Sequence, residues 1–152
     1  MEKPWADPAL WRTPAPGELT RRMPEFSGYA HVALTVTDLA ESVPFYETVF
    51  ESAPVTELVT DDFVRKIFPA GNGQIFGVTE YHEKKPGRFD FLLPGLDHVS
   101  FAVPTRAAVL ALQQRLEAAG ISVDLTDAPY GSVLNIKDPD GNAVEFFGPS
   151  AD

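Results

Sequence analysis

The feature that most constrains this chain is that its second half repeats its first. At an offset of 67 residues, His98-Val-Ser-Phe-Ala-Val103 lies under His31-Val-Ala-Leu-Thr-Val36. With no gap, Val32, Leu34, Val36, Val43 and Val49 then fall on Val99, Phe101, Val103, Leu110 and Leu116. Further on, at an offset of 68, Gly73-Gln-Ile-Phe-Gly77-Val lies over Gly141-Asn-Ala-Val-Glu145-Phe. Agreement at a fixed spacing marks a duplication, and it does not hang on any single motif.

Each copy spells out the same elements. Residues 31–36 alternate, with Val32, Leu34 and Val36 on one side, as a half-buried strand does. Asp38 and Glu41 have the spacing of a helix N-cap with a reciprocating carboxylate at N3. Leu39, Val43, Tyr46 and Phe50 follow at helical spacing, and Pro44 inside that helix should cost it a backbone hydrogen bond. Three strands are expected at about 54–60, 63–69 and 74–81, then a polar, turn-rich linker over Glu83–Arg88. In the second copy Thr105 caps the helix and Gly120 ends it. Asp138-Pro-Asp-Gly141-Asn turns the last two strands into a hairpin. The fold class is therefore α+β, with two tandem βαβββ modules at about 28–84 and 95–150 forming one domain over 28–150. Residues 1–27 differ: Pro4, Pro8, Pro14, Pro16 and Pro24 break any regular element among Trp5, Trp11 and Phe26, which reads as an extended arm.

Composition removes several function classes. The 152 residues contain no cysteine, so disulfides, thiolate metal sites and cysteine nucleophiles are out. No apolar run approaches the roughly 18 residues of a membrane helix, and the N-terminus lacks a signal-peptide pattern, so cytoplasmic location is the default expectation. A net charge of -10 disfavours nucleic acid and anionic membrane as partners. Its sign favours a cationic small ligand, or does no more than keep the chain in solution.

Strand alternation also locates the chemistry. If Val32, Leu34 and Val36 pack on the helix, then His31, Ala33 and Thr35 face away, as do His98, Ser100 and Ala102 in the second copy. In the last strand Val144 and Phe146 pack, leaving Ala143, Glu145 and Phe147 on that open face. Two histidines and a carboxylate in corresponding places suit a divalent metal such as Fe, Mn, Ni, Co or Zn. The plainer alternative is a pair of hydrogen-bonded sheet histidines. Phosphate-loop and Gly-x-Ser-x-Gly patterns are absent, and Gly71-Asn-Gly73 is a hairpin turn.

The fragments from His31 to Tyr46, from Gly95 to Val103 and from Asp138 to Phe147 resemble the vicinal oxygen chelate superfamily, over about 28–150. That group includes glyoxalases, extradiol dioxygenases, fosfomycin-resistance enzymes and bleomycin-resistance proteins. The resemblance implies a curved mixed sheet around a central cleft, helices on the outer face, and four metal positions, here His31, Gly77, His98 and Glu145. Gly77 cannot ligate, which disfavours a four-ligand, glutathione-dependent glyoxalase. Thr79 and Tyr81 share its face and could partly fill the gap, whereas Glu80 and His82 point away, His82 as a surface loop residue. Two histidines and a glutamate are the Fe(II) set of extradiol dioxygenases. Yet the tyrosine position of those enzymes reads Asn135 here, and no histidine follows His98. Thr35, Thr79, Tyr81, Ser100, Tyr130, Asn135 and Phe147 would line the substrate pocket, with Gly131 and Lys137 nearby. Two readings follow. One is a metal-dependent lyase, isomerase or oxygenase acting on an oxygen-chelating substrate. The other is a metal-free protein of the bleomycin-resistance type that binds a small molecule or antibiotic between aromatics. A homodimer is implied in either case, by exchange of modules or side-by-side packing, with the arm as a clasp.

Overall fold

A computed structural model describes residues 29–151, so the expected N-terminal arm lies outside the described residues. The elements run β1 (His31–Thr35), α1 (Leu39–Phe50), β2 (Thr56–Val59), β3 (Phe63–Pro69), β4 (Ile75–Tyr81), β5 (His98–Ala102), α2 (Arg106–Ala118), β6 (Asp124–Ala128), β7 (Gly131–Lys137) and β8 (Ala143–Gly148). They form two four-stranded mixed sheets, ordered β1-β4-β3-β2 and β5-β8-β7-β6. This is the duplicated βαβββ architecture, with each module closing its own sheet.

The duplication extends to strand register. In the first sheet Ala33 stands opposite Gly77, and Ile67 opposite Gly77 on its other side. In the second, Ser100 and Asn135 flank Glu145 in the same way. Gly77 and Glu145 are thus equivalent positions. The turns match as well: Ala70 donates its N–H to Gln74 O as Asp138 does to Asn142 O.

Local chemistry sets the element ends. Asp38 caps α1, its carboxylate accepting from Ala40 N at 2.7 Å. The expected reciprocal bond from Glu41 does not form. Glu80 of β4 instead reaches the helix start and accepts from Leu39 N at 2.8 Å, so a strand residue takes the free first-turn donor. Pro44 leaves α1 continuous. The second strand is shorter than expected because Pro54 has no N–H and Thr60 turns away, its N–H donating to Phe63 O. Thr105 caps α2 by accepting from Ala108 N, and Gly120 follows its end with φ +79°.

One core joins both modules. Leu34, Tyr46, Phe76, Val99, Leu116 and Val144 belong to a single buried cluster. Phe101 meets both Phe50 and Phe76 edge-on, at 5.3 and 5.6 Å between centroids. The helix-packed faces of the two sheets therefore share an interior, and each sheet's other face is left open. Polar ties cross the same junction. The Tyr46 hydroxyl donates to Asp138 at 2.9 Å, and Thr37 donates to Asp140 through its N–H and its hydroxyl at 2.8 and 2.6 Å. Asp138 also accepts from Asp140 N, Asn142 N and Asn142 Nδ2. Burial, and then the charge of Asp138, push the Tyr46 phenol far above its ordinary value. No helix among the described residues is long and apolar enough to cross a membrane.

Candidate functional site

Alternation puts the open faces where the sequence pattern places them. His31, Ala33 and Thr35 of β1 are exposed, as are His98, Ser100 and Ala102 of β5. Glu145 lies beside Ser100 on the second open face, and Ser100 Oγ donates to its Oε1 at 2.7 Å. His98 Nδ1 lies 2.6 Å from Asp97 Oδ2. In a neutral imidazole that contact puts the ring proton on Nδ1 and leaves the Nε2 lone pair as the donor. This is the arrangement in which an acidic neighbour orients a ligating imidazole.

His31 and His98 both line a cavity of about 300 Å³ where the two modules meet, together with Gln74, Ile75 and Ser100. Glu145 is not among the residues lining it. Among the described residues, no three His, Asp or Glu side chains are gathered so as to hold a metal ion. The donor types suit a divalent metal, but one chain alone does not assemble them. Asn135 and Lys137 line a different cavity of about 610 Å³, beside Asp124 and Pro139.

The gap at Gly77 is filled from an unexpected direction. Arg65 of β3 lies across it, with Cδ 3.2 Å from where a β-carbon on Gly77 would sit. Arg65 Nε donates to Thr79 Oγ1 at 2.8 Å, and its guanidinium lies 4.9 Å from the Phe63 ring centroid. Thr79, only 2 % exposed, therefore anchors the arginine instead of filling the gap itself. Tyr81 packs on Phe63 at 5.4 Å, and Tyr130 stacks on Phe147 at 6.2 Å, so each open face carries one aromatic pair. Thr35 stands opposite Thr79 on the same face. His82 is exposed just past β4, as a surface residue should be, with Nε2 3.3 Å from Thr60 O.

Sequence reasoning missed Arg65. The signal that could have found it is the parity of residues 63–69, which puts Phe63, Arg65 and Ile67 on one face. Using that parity requires knowing that Ile67, not its neighbour, pairs with Gly77.

Comparison with known proteins places these features in context. The family model described as Glyoxalase/Bleomycin resistance protein/Dioxygenase superfamily matches residues 28–146. An uncharacterized protein of Pseudomonas aeruginosa, PA2024, is 34% identical over 130 residues, covering 76% of this chain and 84% of its own. A crystal structure of a glyoxylase/bleomycin resistance protein/dioxygenase domain from Frankia sp. superposes with a TM-score of 0.75 at 29% identity, covering 82% of this chain and 93% of the other. Lactoylglutathione lyase from Agrobacterium tumefaciens superposes with a TM-score of 0.64 at 26% identity, covering 83% and 96%.

Proposed function

The chain belongs to the glyoxalase/bleomycin resistance protein/dioxygenase superfamily, and on that basis we propose that it is a divalent-metal-dependent enzyme whose site forms between two copies. The open face of the first module in one copy would meet the open face of the second module in the other. His31 from one chain, with His98 and Glu145 from its partner, would then hold the metal. The ligand is a small molecule that offers the metal two oxygens. Gly77 leaves the fourth position without a donor, so the reaction is not that of a four-ligand glyoxalase. Lyase, isomerase and oxygenase chemistry stay within reach of a three-ligand site, since three protein ligands leave positions for substrate and water.

The observation that carries this reading is that, among the described residues, no three donors gather within one chain, Glu145 standing apart from the two histidines. The helix faces share a core and the polar faces are exposed, so Glu145 stands outside the cavity that His31 and His98 line. Exposed Val55, Leu58 and Val59 along the edge of the first sheet give a second copy apolar surface to cover.

Mixed variants test it. His31→Ala and Glu145→Ala chains, purified without an affinity tag, should each lose the metal that the parent protein holds at about one per chain. Unfolding and refolding the two together should restore about one site in four, because in each hybrid dimer one composite site has all three ligands. No restoration, with the parent protein loaded, would put the site within one chain. A parent protein that takes up no metal after reconstitution would instead select a metal-free binding protein, for which the aromatic pairs Phe63–Tyr81 and Tyr130–Phe147 supply the stacking surface.

A further inference from the structure

Gly77 has a second role besides lacking a ligand. A side chain there would press on Ala33 Cβ and on Arg65 Cδ, each 3.2 Å from the first atom added. Glycine is what allows the arginine stem to lie flat across the strand, so the stem covers the position equivalent to Glu145 and carries the guanidinium on to Thr79 and Phe63 of the same open face. The two open faces thus differ in charge: Glu145 stands on one, and an arginine crosses the equivalent position on the other.

Arg65 is held but not neutralised. Its Nε is committed to Thr79, and Phe63 supports its plane from one side. It forms no ion pair among the described residues, although Lys66 beside it pairs with Glu57. The remaining N–H donors form a preorganised fork, the geometry that receives a carboxylate or phosphonate through two parallel hydrogen bonds.

We infer that Arg65 is the anion-recognition residue of this site, and that the ligand carries an oxyanion group. This rests on the open-face reading above but not on the metal. It also reverses the expectation from net charge, because the field inside a cleft is set by the nearest uncompensated group and not by the sum over the chain.

Calorimetric titration of the full chain with acetate, methylphosphonate and tetramethylammonium tests it, with the Arg65 Nε–H resonance as local reporter. One of the two anions should bind saturably and shift that resonance, and which one does so separates planar from tetrahedral ligands. Arg65→Gln should weaken that binding about tenfold or more, and Arg65→Lys less, since a lysine keeps the charge without the fork. Metal content should be unchanged in both, and the thermal midpoint should fall only by what the lost Thr79 hydrogen bond contributes. Equal affinity in Arg65→Gln, binding of tetramethylammonium alone, or no binding by any of the three would overturn the inference. So would anion binding that appears only in Glu145→Gln, which would show Arg65 already paired with that carboxylate across two copies. Loss of metal in Arg65→Gln would make the arginine a support for the ligands and would also overturn it. Failure of the two-copy site is read separately, from the mixed variants.

Discussion

Glu80 closes the first turn of α1 from the neighbouring strand, and its ionisation is tied to that task. Lys84 donates to its carboxylate, and the Leu39 N–H adds a second bond, so the group is held below its ordinary value near 4.5. A carboxyl depressed in the folded state stabilises the fold above its unfolded value and loses that contribution as pH falls through the folded one. Glu80→Gln should therefore flatten the fall in urea midpoint between about pH 5 and pH 3, and should cost no more than about 1 kcal/mol at neutral pH. The same residue shows what a sequence reveals at this scale. Asp38 was legible as a cap because its bond closes within two residues. Its partner was not, because Glu41 stands at the right spacing whereas Glu80 arrives only once β4 has paired with β1. Arg65 was hidden for a similar reason: its meaning depends on which residue it lies across.

At the scale of elements, α1 ends without a basic residue in its last turn and has its carbonyls satisfied from α2. Arg115 donates to Thr48 O and Val49 O, and its Nε lies 3.4 Å from Glu51. Arg115→Ala would leave those helix-end carbonyls to water and is expected to cost about 1–2 kcal/mol. Hydrogen exchange should speed up most in the last turn of α1, although the substitution lies in the other module. Uniform acceleration across both modules would contradict this. Periodicity recovered nearly all the elements, since burial of Leu34, Val36, Val99, Val144 and Phe146 follows the alternation read from the sequence. Their lengths came out less well where proline or a side-chain hydroxyl interrupts a ladder, as at Pro54 and Thr60. Register was inaccessible to periodicity, which fixes faces but not the slide of one strand past another.

Across the whole molecule, the shared core and the ties to Asp138 and Asp140 make the two modules one folding unit. Tyr46→Phe should cost about 1–2 kcal/mol, because Asp138 keeps three of its four donors. Unfolding should remain a single transition by circular dichroism, with calorimetric and van't Hoff enthalpies equal, and separate transitions would mean that the modules melt independently. The cost should shrink above about pH 10, because a phenol held protonated in the fold ionises in the unfolded chain, and only the parent protein then loses stability. Duplication was the most legible property of the chain, while the gathering of donors into one site was the least. The first is written in spacing along the chain, and the second depends on how whole sheets are arranged. The fastening between the halves also has a direction. Counting 67 residues on from Thr37 and Tyr46 gives Pro104 and Gln113, and counting 68 back from Asp138 and Asp140 gives Ala70 and Asn72. Neither reversed pair could repeat the bonds, because Ala70 offers Gln113 no side-chain acceptor and Pro104 has neither N–H nor hydroxyl to give Asn72. The two descendants of one ancestral unit have become donor and acceptor, so an unequal crossover leaving two first halves or two second halves would preserve every strand and remove what joins them.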